Sequence, residues 1–384
     1  MPPAQPHALA LAAAFALLAA PLHAVVAQEG EERRGPELSG IVFANYQYHV
    51  EDGARRSSNE FVLDRAYLTL YAPVGERGSV RLTSDLFRNG REGYDLRLKY
   101  GYLQYELHRG SGAFVRAGLL QTVEIEQEEQ LWPRWLGQVS TDRFDFFSSA
   151  DVGVSAGVEL PWRMGEMYAV VANGGGYQDV SRDDRFKDYA LRLTLTPFAA
   201  QEGAGILRGL SVSPWYLKGD TASVFGPGRP APEVAEGDLG DIGAARRRDR
   251  YGVLLGLDDP RLSLGFGLAE YRREEESGAN TAAAPVVVAD RTSRLATAFM
   301  VARPLQLLDE AYRLPLGVVL RYDRFEPDVD VDGHAHFVVG GLTYDVSSHL
   351  SLALDYQEQL PRDGAPVADF APSKVYYLHL QARF

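Results

Sequence analysis

SKVYYLHLQARF, the last twelve residues from Ser373 to Phe384, sorts its side chains into two sets. Tyr376, Leu378, Leu380, Ala382 and Phe384 fall on one side of an extended chain, and Tyr377, His379, Gln381 and Arg383 on the other. The apolar side needs a nonpolar medium. A closed barrel with a polar interior offers no second protein layer as that medium, so lipid fits better and the segment reads as a transmembrane β-strand. Taken alone, it also reads as an edge strand of a soluble sandwich.

Fifteen further alternating segments precede it. They are Leu38–Val50, Glu60–Ala72, Ser79–Arg88, Tyr94–Leu107, Ala113–Thr122, Asp151–Leu160, Glu166–Asn173, Lys187–Thr196, Leu210–Lys218, Arg250–Asp258, Leu262–Arg272, Thr292–Arg303, Arg313–Phe325, His336–Asp345 and His349–Gln359. Most have about the nine to eleven residues that a tilted strand needs to cross hydrocarbon. The expected fold is all-β: a transmembrane antiparallel β-barrel of about sixteen strands, an even count that returns both termini to one side. Connection lengths support this. Pro73–Gly78, His108–Gly112, Pro161–Gly165, Asp258–Arg261 and Val346–Ser348 read as tight turns, while Thr122–Ala150, Gly174–Phe186, Gly219–Asp249, Glu274–Arg291 and Leu360–Ser373 are long and mostly charged. Two turns, Pro197–Gly209 and Pro304–Tyr312, are long enough to conceal a misplaced strand end.

The face pattern assigns lipid and lumen. Leu262, Leu264, Phe266 and Leu268 alternate with Ser263, Gly265, Gly267 and Ala269, and Leu350, Leu352, Leu354 and Tyr356 with Ser351, Ala353, Asp355 and Gln357. Small inner residues would leave open volume for water. Tyr100, Tyr102, Tyr189, Tyr322, Tyr344, Tyr356 and Tyr376 lie near segment ends, where interfacial girdles belong. Continuing the alternation inward puts Arg65, Arg81, Arg97, Lys99 and Arg116 on neighbouring strands as a basic lumen wall, because a charge facing mid-depth lipid costs about 2–4 kcal/mol. Pairing with Asp85, Asp95 or Glu159 is the structural alternative. Arg192, Arg294, Arg321, Asp323 and Asp355 add scattered inward charges.

Residues 1–27 read as a secretory signal, since Ala8–Ala20 is an apolar run too short to span a bilayer, with Val25 and Ala27 before a cleavage site; residues 28–384 form the barrel. The absence of cysteine excludes thiolate catalysis and Cys-ligated metal and suits export through an oxidising compartment. Hydrophobic residues at 46% with a mean hydropathy of −0.20 fit strands whose apolar residues are diluted by polar ones. A net charge of −13 argues against nucleic acid as a partner. Asp328, Asp330, Asp332 and Gly333 begin a calcium-loop pattern, but Val339 stands where the bidentate Glu is needed. His334 and His336 share a strand face without a secure third ligand. Neither metal nor cofactor is implied. Arg246, Arg247, Arg248 and Arg250 read as a solvated cluster at the end of an outer loop, with anion funnelling or lipopolysaccharide contact as alternatives.

FVLDRAYLTLYAP (Phe61–Pro73), YDLRLKYGYLQYEL (Tyr94–Leu107), FVRAGLLQTVEIEQEE (Phe114–Glu129) and DFFSSADVGVSAGVEL (Asp145–Leu160) occur in an order that resembles the phosphate-selective porin O and P family. The likeness covers roughly residues 38–160; beyond it, only the alternation and the terminal aromatic Phe384, an assembly signal of outer-membrane barrels, are shared. The resemblance implies a trimeric, arginine-lined anion channel in the bacterial outer membrane, with Arg65, Arg81, Arg97 and Arg116 at lining positions. It also implies lipopolysaccharide and the barrel assembly machinery as partners. The chain departs from the family in having four lysines, Lys99, Lys187, Lys218 and Lys374, so no phosphate-gathering cluster is evident.

The connection after the fifth strand, Thr122–Ala150, is the third outer loop. In barrels of this kind that loop folds inward. Here Glu124, Glu126, Glu128 and Glu129 precede the aromatic and partly helical run LWPRWLGQVSTDRFDFF, and acids facing the basic wall would set a transverse field. A surface helix contacting a neighbouring subunit is the competing reading. The resulting expectation is a passive channel for small hydrophilic solutes, anions preferred, and not an enzyme. A barrel lipase or protease is the alternative from another class, but His349 and His379 assemble no triad on this strand map; a plugged structural or adhesive barrel is a third reading.

Overall fold

The computed structural model describes residues 35–50, 57–89, 93–177, 186–222, 245–277, 287–312, 314–362 and 372–384. The expected signal segment lies outside them. The strands are β1 (Glu37–His49), β2 (Ser58–Val74), β3 (Gly78–Asn89), β4 (Gly93–His108), β5 (Ala113–Gln121), β6 (Ala150–Glu159), β7 (Gly165–Ala172) and β8 (Asp188–Leu195). Then follow β9 (Leu210–Lys218, continued past Gly219 by Asp220–Ala222), β10 (Ala245–Asp259), β11 (Leu262–Ser277), β12 (Val287–Ala302), β13 (Leu316–Glu326), β14 (His334–Asp345), β15 (Leu350–Arg362) and β16 (Ser373–Arg383). Each pairs antiparallel with its sequence neighbours, and β1 pairs with both β2 and β16, which closes a sixteen-stranded barrel. Closure removes the open edge that would otherwise be left unpaired.

The seam ends on Phe384. Gly40 N–H donates to its carbonyl at 2.9 Å, its own N–H donates to Gly40 O at 3.0 Å, and its ring lies over Gly40, where a side chain would collide with it.

The two-residue rhythm sets the faces. Along β13, Val319, Arg321, Asp323 and Phe325 are buried while Leu320, Tyr322 and Arg324 are exposed; along β16, Val375, His379 and Gln381 are buried while Tyr376, Leu378 and Leu380 are exposed. Leu98, Leu103, Phe266, Leu268, Leu342 and Leu354 continue the outward apolar belt. Tyr322, Tyr344, Tyr356 and Tyr376 stand on it as expected, and the rings of Tyr356 and Tyr376 lie 5.0 Å apart.

Three register shifts break the rhythm among the described strands, one of them at the turn end of β4 between Glu106 and His108, and another corrects the girdle. Between β3 and β4 the register shifts so that Thr83 faces Tyr100 and Ser84 faces Leu98, leaving Lys99 as the extra residue. Lys99 and Tyr100 consequently both turn inward, and below them the inward parity changes from odd to even. Tyr100 and Tyr102, expected at the lipid interface, are therefore buried on the inner wall. A second shift, with Phe43 facing Arg65 and Ala44 facing Leu63, leaves Asp64 unpaired in β2. Arg294 is also corrected: it faces outward and is 57% exposed, donating to Glu270 across the strand pair.

The two long turns conceal no strand. One contains a 3-10 turn (Gly205–Gly209) and the other a short helix (Pro304–Leu308). No described helix is long and apolar enough to cross a membrane.

Candidate functional site

The connection from β5 to β6 carries helix α1 (Ile125–Leu131), a 3-10 turn (Arg134–Leu136) and helix α2 (Ser140–Arg143). The acidic run itself forms α1. The connection lies inside the barrel, because its backbone is bonded to inward side chains on widely separated strands. Arg192 of β8 donates to Val123 O (2.6 Å), Ser263 of β11 to Leu131 O (2.8 Å), Arg321 of β13 to Gln138 O (2.7 Å) and Gln357 of β15 to Leu136 O (2.7 Å).

Its aromatic face packs against one half of the wall. Trp132 meets Phe299 edge-on at 5.5 Å, Phe144 stacks on Phe325 at 4.8 Å, and Phe147 meets Trp215 at 5.0 Å. Trp132, Ile125, Leu136, Val139 and Phe146 are wholly buried. The small inner residues of β10 and β11 thus serve a purpose other than holding water: Gly256 lies under the Leu131 side chain, and Gly265 under the ring of Phe299.

The opposite wall, β2 to β5, is basic and lined with aromatic rings. Arg65 and Arg97 share the buried carboxylate of Asp85, at 2.7 and 3.2 Å, and Arg97 also donates to Tyr177 Oη at 2.8 Å. Arg81 lies 4.7 Å from the centre of the Tyr100 ring and donates to Thr83. Arg116 lies 5.0 Å from the Tyr102 ring and 4.3 Å from Phe114, and donates to Gln104 at 2.7 Å. Among the described residues, neither Arg81 nor Arg116 has a carboxylate partner. A guanidinium over a ring face keeps its charge and its outer N–H groups available.

The loop acids divide between the two sides. Glu129 faces the basic wall and links Lys99 (3.5 Å) to Arg134 (2.7 Å), whose other nitrogen reaches Asp142 at 2.7 Å. Burial raises the Glu129 carboxyl, but Lys99 and Arg134 outweigh it and the net direction is below the usual range. Glu126 accepts from Gln121 at 3.4 Å, on the same side. Glu128 and Glu124 turn away from that wall. Glu128 accepts from Ser140 N–H and Oγ, each at 2.7 Å, and lies 3.8 Å from Arg321; burial raises its carboxyl against these partners. Glu124 is raised well above the ordinary carboxylate range by burial and by the neighbouring Glu128, against the pull of Arg192. The transverse pattern expected of four acids thus rests on Glu126 and Glu129.

Sequence parity missed the loop cations. Arg134, Arg143 and Arg65 line a cavity of about 320 Å3 between the loop and β1, β2, β15 and β16, together with Asp64, Tyr377 and His379. Arg143 donates to Gln359 and lies 3.5 Å from the Phe337 ring centre. Their signal was two arginines inside an aromatic loop run. The arginines at the start of β10 are not a solvated cluster: Arg246 pairs with Glu276, Arg247 with Asp290, and Arg248 turns inward onto Asp188 at 2.8 Å. Among the described residues, no group of three metal-ligating side chains occurs.

No protein-family model matches the chain, and comparison with curated proteins found no match. Solved structures do match. The outer-membrane channel DcaP of Acinetobacter baumannii aligns over 92% of this chain and 99% of its own, with a TM-score of 0.61 at 10% identity. An anion-selective porin from Comamonas acidovorans aligns over 91% and 99%, with a TM-score of 0.55 at 13% identity. The fold is that of the outer-membrane porins. OmpT of Vibrio cholerae in its trimer form shares this porin fold over 91% and 99% of the two chains, with a TM-score of 0.55 at 11% identity. The porin half of the sequence resemblance is supported at the level of fold.

Proposed function

We propose that the chain forms a channel in the bacterial outer membrane that passes small hydrophilic solutes down their gradients, anions ahead of cations, with phosphate-type anions among the candidates. The observation that carries this reading is the pair Arg81 and Arg116, inward, ring-backed and without a carboxylate partner among the described residues. Arg65 and Arg97 share one Asp85 and Lys99 meets Glu129, so these cations are partly or wholly compensated. Uncompensated guanidiniums beside a narrowed passage attract anions and repel cations. Glu126 and Glu129 form the negative side of the same constriction. The apolar outer belt supports a lipid surrounding, and lipopolysaccharide belongs to this reading as the expected neighbour. Phe384 at the closing seam is the feature we assign to the assembly machinery, and removing it should lower the yield of heat-resistant barrel. A trimer accords with the OmpT form above, and cross-linking that stops at monomers would set it aside.

The test is the reversal potential in asymmetric KCl across a planar bilayer. Arg81→Glu with Arg116→Glu should move it toward cation preference, and an unchanged potential would remove both residues from the permeation path. A second reading, a plugged structural barrel, is favoured by the tightly buried aromatic loop face; absence of stable current steps from the purified protein would select it.

A further inference from the structure

We propose that the outer face of β11 to β13 is a binding site for a phosphorylated lipid of the surrounding membrane, its acyl chain in a groove that crosses β12 at Ala298–Met300 and its phosphate on Arg294 and Arg324. This rests on the membrane-spanning reading above. The register sets Ala298 between Phe266 and Tyr322, and Ala296 between Leu268 and Arg324. Two alanines between large neighbours leave a trough. It opens into an apolar groove of about 620 Å3 bordered by Leu264, Phe266, Met300, Leu320 and Tyr322.

Directly above the apolar belt the outward residues become charged. Arg294 follows Ala296 two residues toward the long-loop end, and Arg324 follows Tyr322. Glu270 accepts from Arg272 at 2.7 Å and from Arg294 Nε at 3.2 Å, and it also accepts from Tyr251; Arg324 donates to Glu326 at 2.6 Å. Three guanidiniums thus stand with two carboxylates that hold them in place. Arg294 engages Glu270 through Nε alone, so its terminal nitrogens face outward at 57% side-chain exposure. Cations at headgroup level above an apolar trough match an anionic phosphate joined to an acyl chain, and guanidinium is suited to phosphate geometry. The charge at the rim favours a lipid over a second copy of this chain, which would bring its own arginines to the same patch if it docked by the same face.

The test uses the whole barrel, stripped of lipid in dodecyl maltoside and then offered lipid A, with retained lipid read by native mass spectrometry and single-channel current recorded alongside. Wild type should retain lipid A against excess inorganic phosphate and bind the dephosphorylated lipid more weakly. Arg294→Gln with Arg324→Gln should weaken retention about tenfold, and Ala298→Phe, which fills the trough, should do the same, both with current unchanged. Equal retention by all variants, or equal binding of the dephosphorylated lipid, would overturn the proposal. So would rapid disulfide dimerisation of Ala296→Cys in native membranes, since the chain has no other cysteine. A protein that retains lipid but passes no current would overturn only the channel reading.

Discussion

Glu124 is a carboxyl held almost entirely out of water, with Oε2 unbonded. Its proton affinity is raised well above the ordinary range by burial and by Glu128. The folded state therefore keeps a proton that the unfolded chain releases near the normal carboxylate value of about 4.3, so stability falls as pH rises from there toward the elevated folded value. Glu124→Gln mimics the protonated form and should leave loop docking intact while removing this dependence. Tryptophan emission followed from acid to alkaline pH checks it: wild type should change more than the variant, in which Glu128 still titrates from a raised value, and parallel curves would refute it. Neither the burial nor the partner was legible in the acidic run, because four glutamates in one turn and a half of helix point in different directions.

The loop as an element is anchored by Trp132, which is wholly buried, touches Phe299, lies under Arg321 at 4.8 Å and donates from Nε1 to Gly137 O at 3.0 Å. Trp132→Ala should cost about 3–5 kcal/mol of docking and leave the barrel closed, since none of the seam bonds passes through the loop. Larger and noisier single-channel steps are the expected readout; unchanged steps would mean that the loop does not limit the passage. The inward position of this loop followed from its length and rank among the long connections. The wall that receives it was less visible. Phe299, Val319, Phe325, Phe337 and Val339 are apolar residues on the inner side, where alternation alone expects polar ones, and only the aromatic loop explains them.

For the whole molecule, strand count, closure and most facing were legible, because lipid outside enforces strict alternation wherever the ladder is regular. Leu262 to Ala269 and Leu350 to Gln357 face as their sequence implies. The failures have two origins: extra residues in the ladder, as at Lys99, and surface charges just beyond the apolar belt, as at Arg294, where outward placement carries little penalty.

The surplus residue at Lys99 also sets which length changes this barrel can tolerate. Excising it would join Leu98 directly to Tyr100 and leave a regular ladder, because Ser84 already faces Leu98 and Thr83 already faces Tyr100, so Tyr100, Tyr102 and Gln104 keep their inward facing. The pairing of β4 with β5, which runs from Gly101 to His108, is untouched by that excision. A single-codon deletion of Lys99 should therefore keep the heat-modifiable band, whereas deletion of Tyr322 from β13, which pairs with both neighbours without a bulge, should abolish it. Length can therefore change in the wall of this barrel at the one point where β4 carries a spare amino acid, and the regular strands have no such reserve.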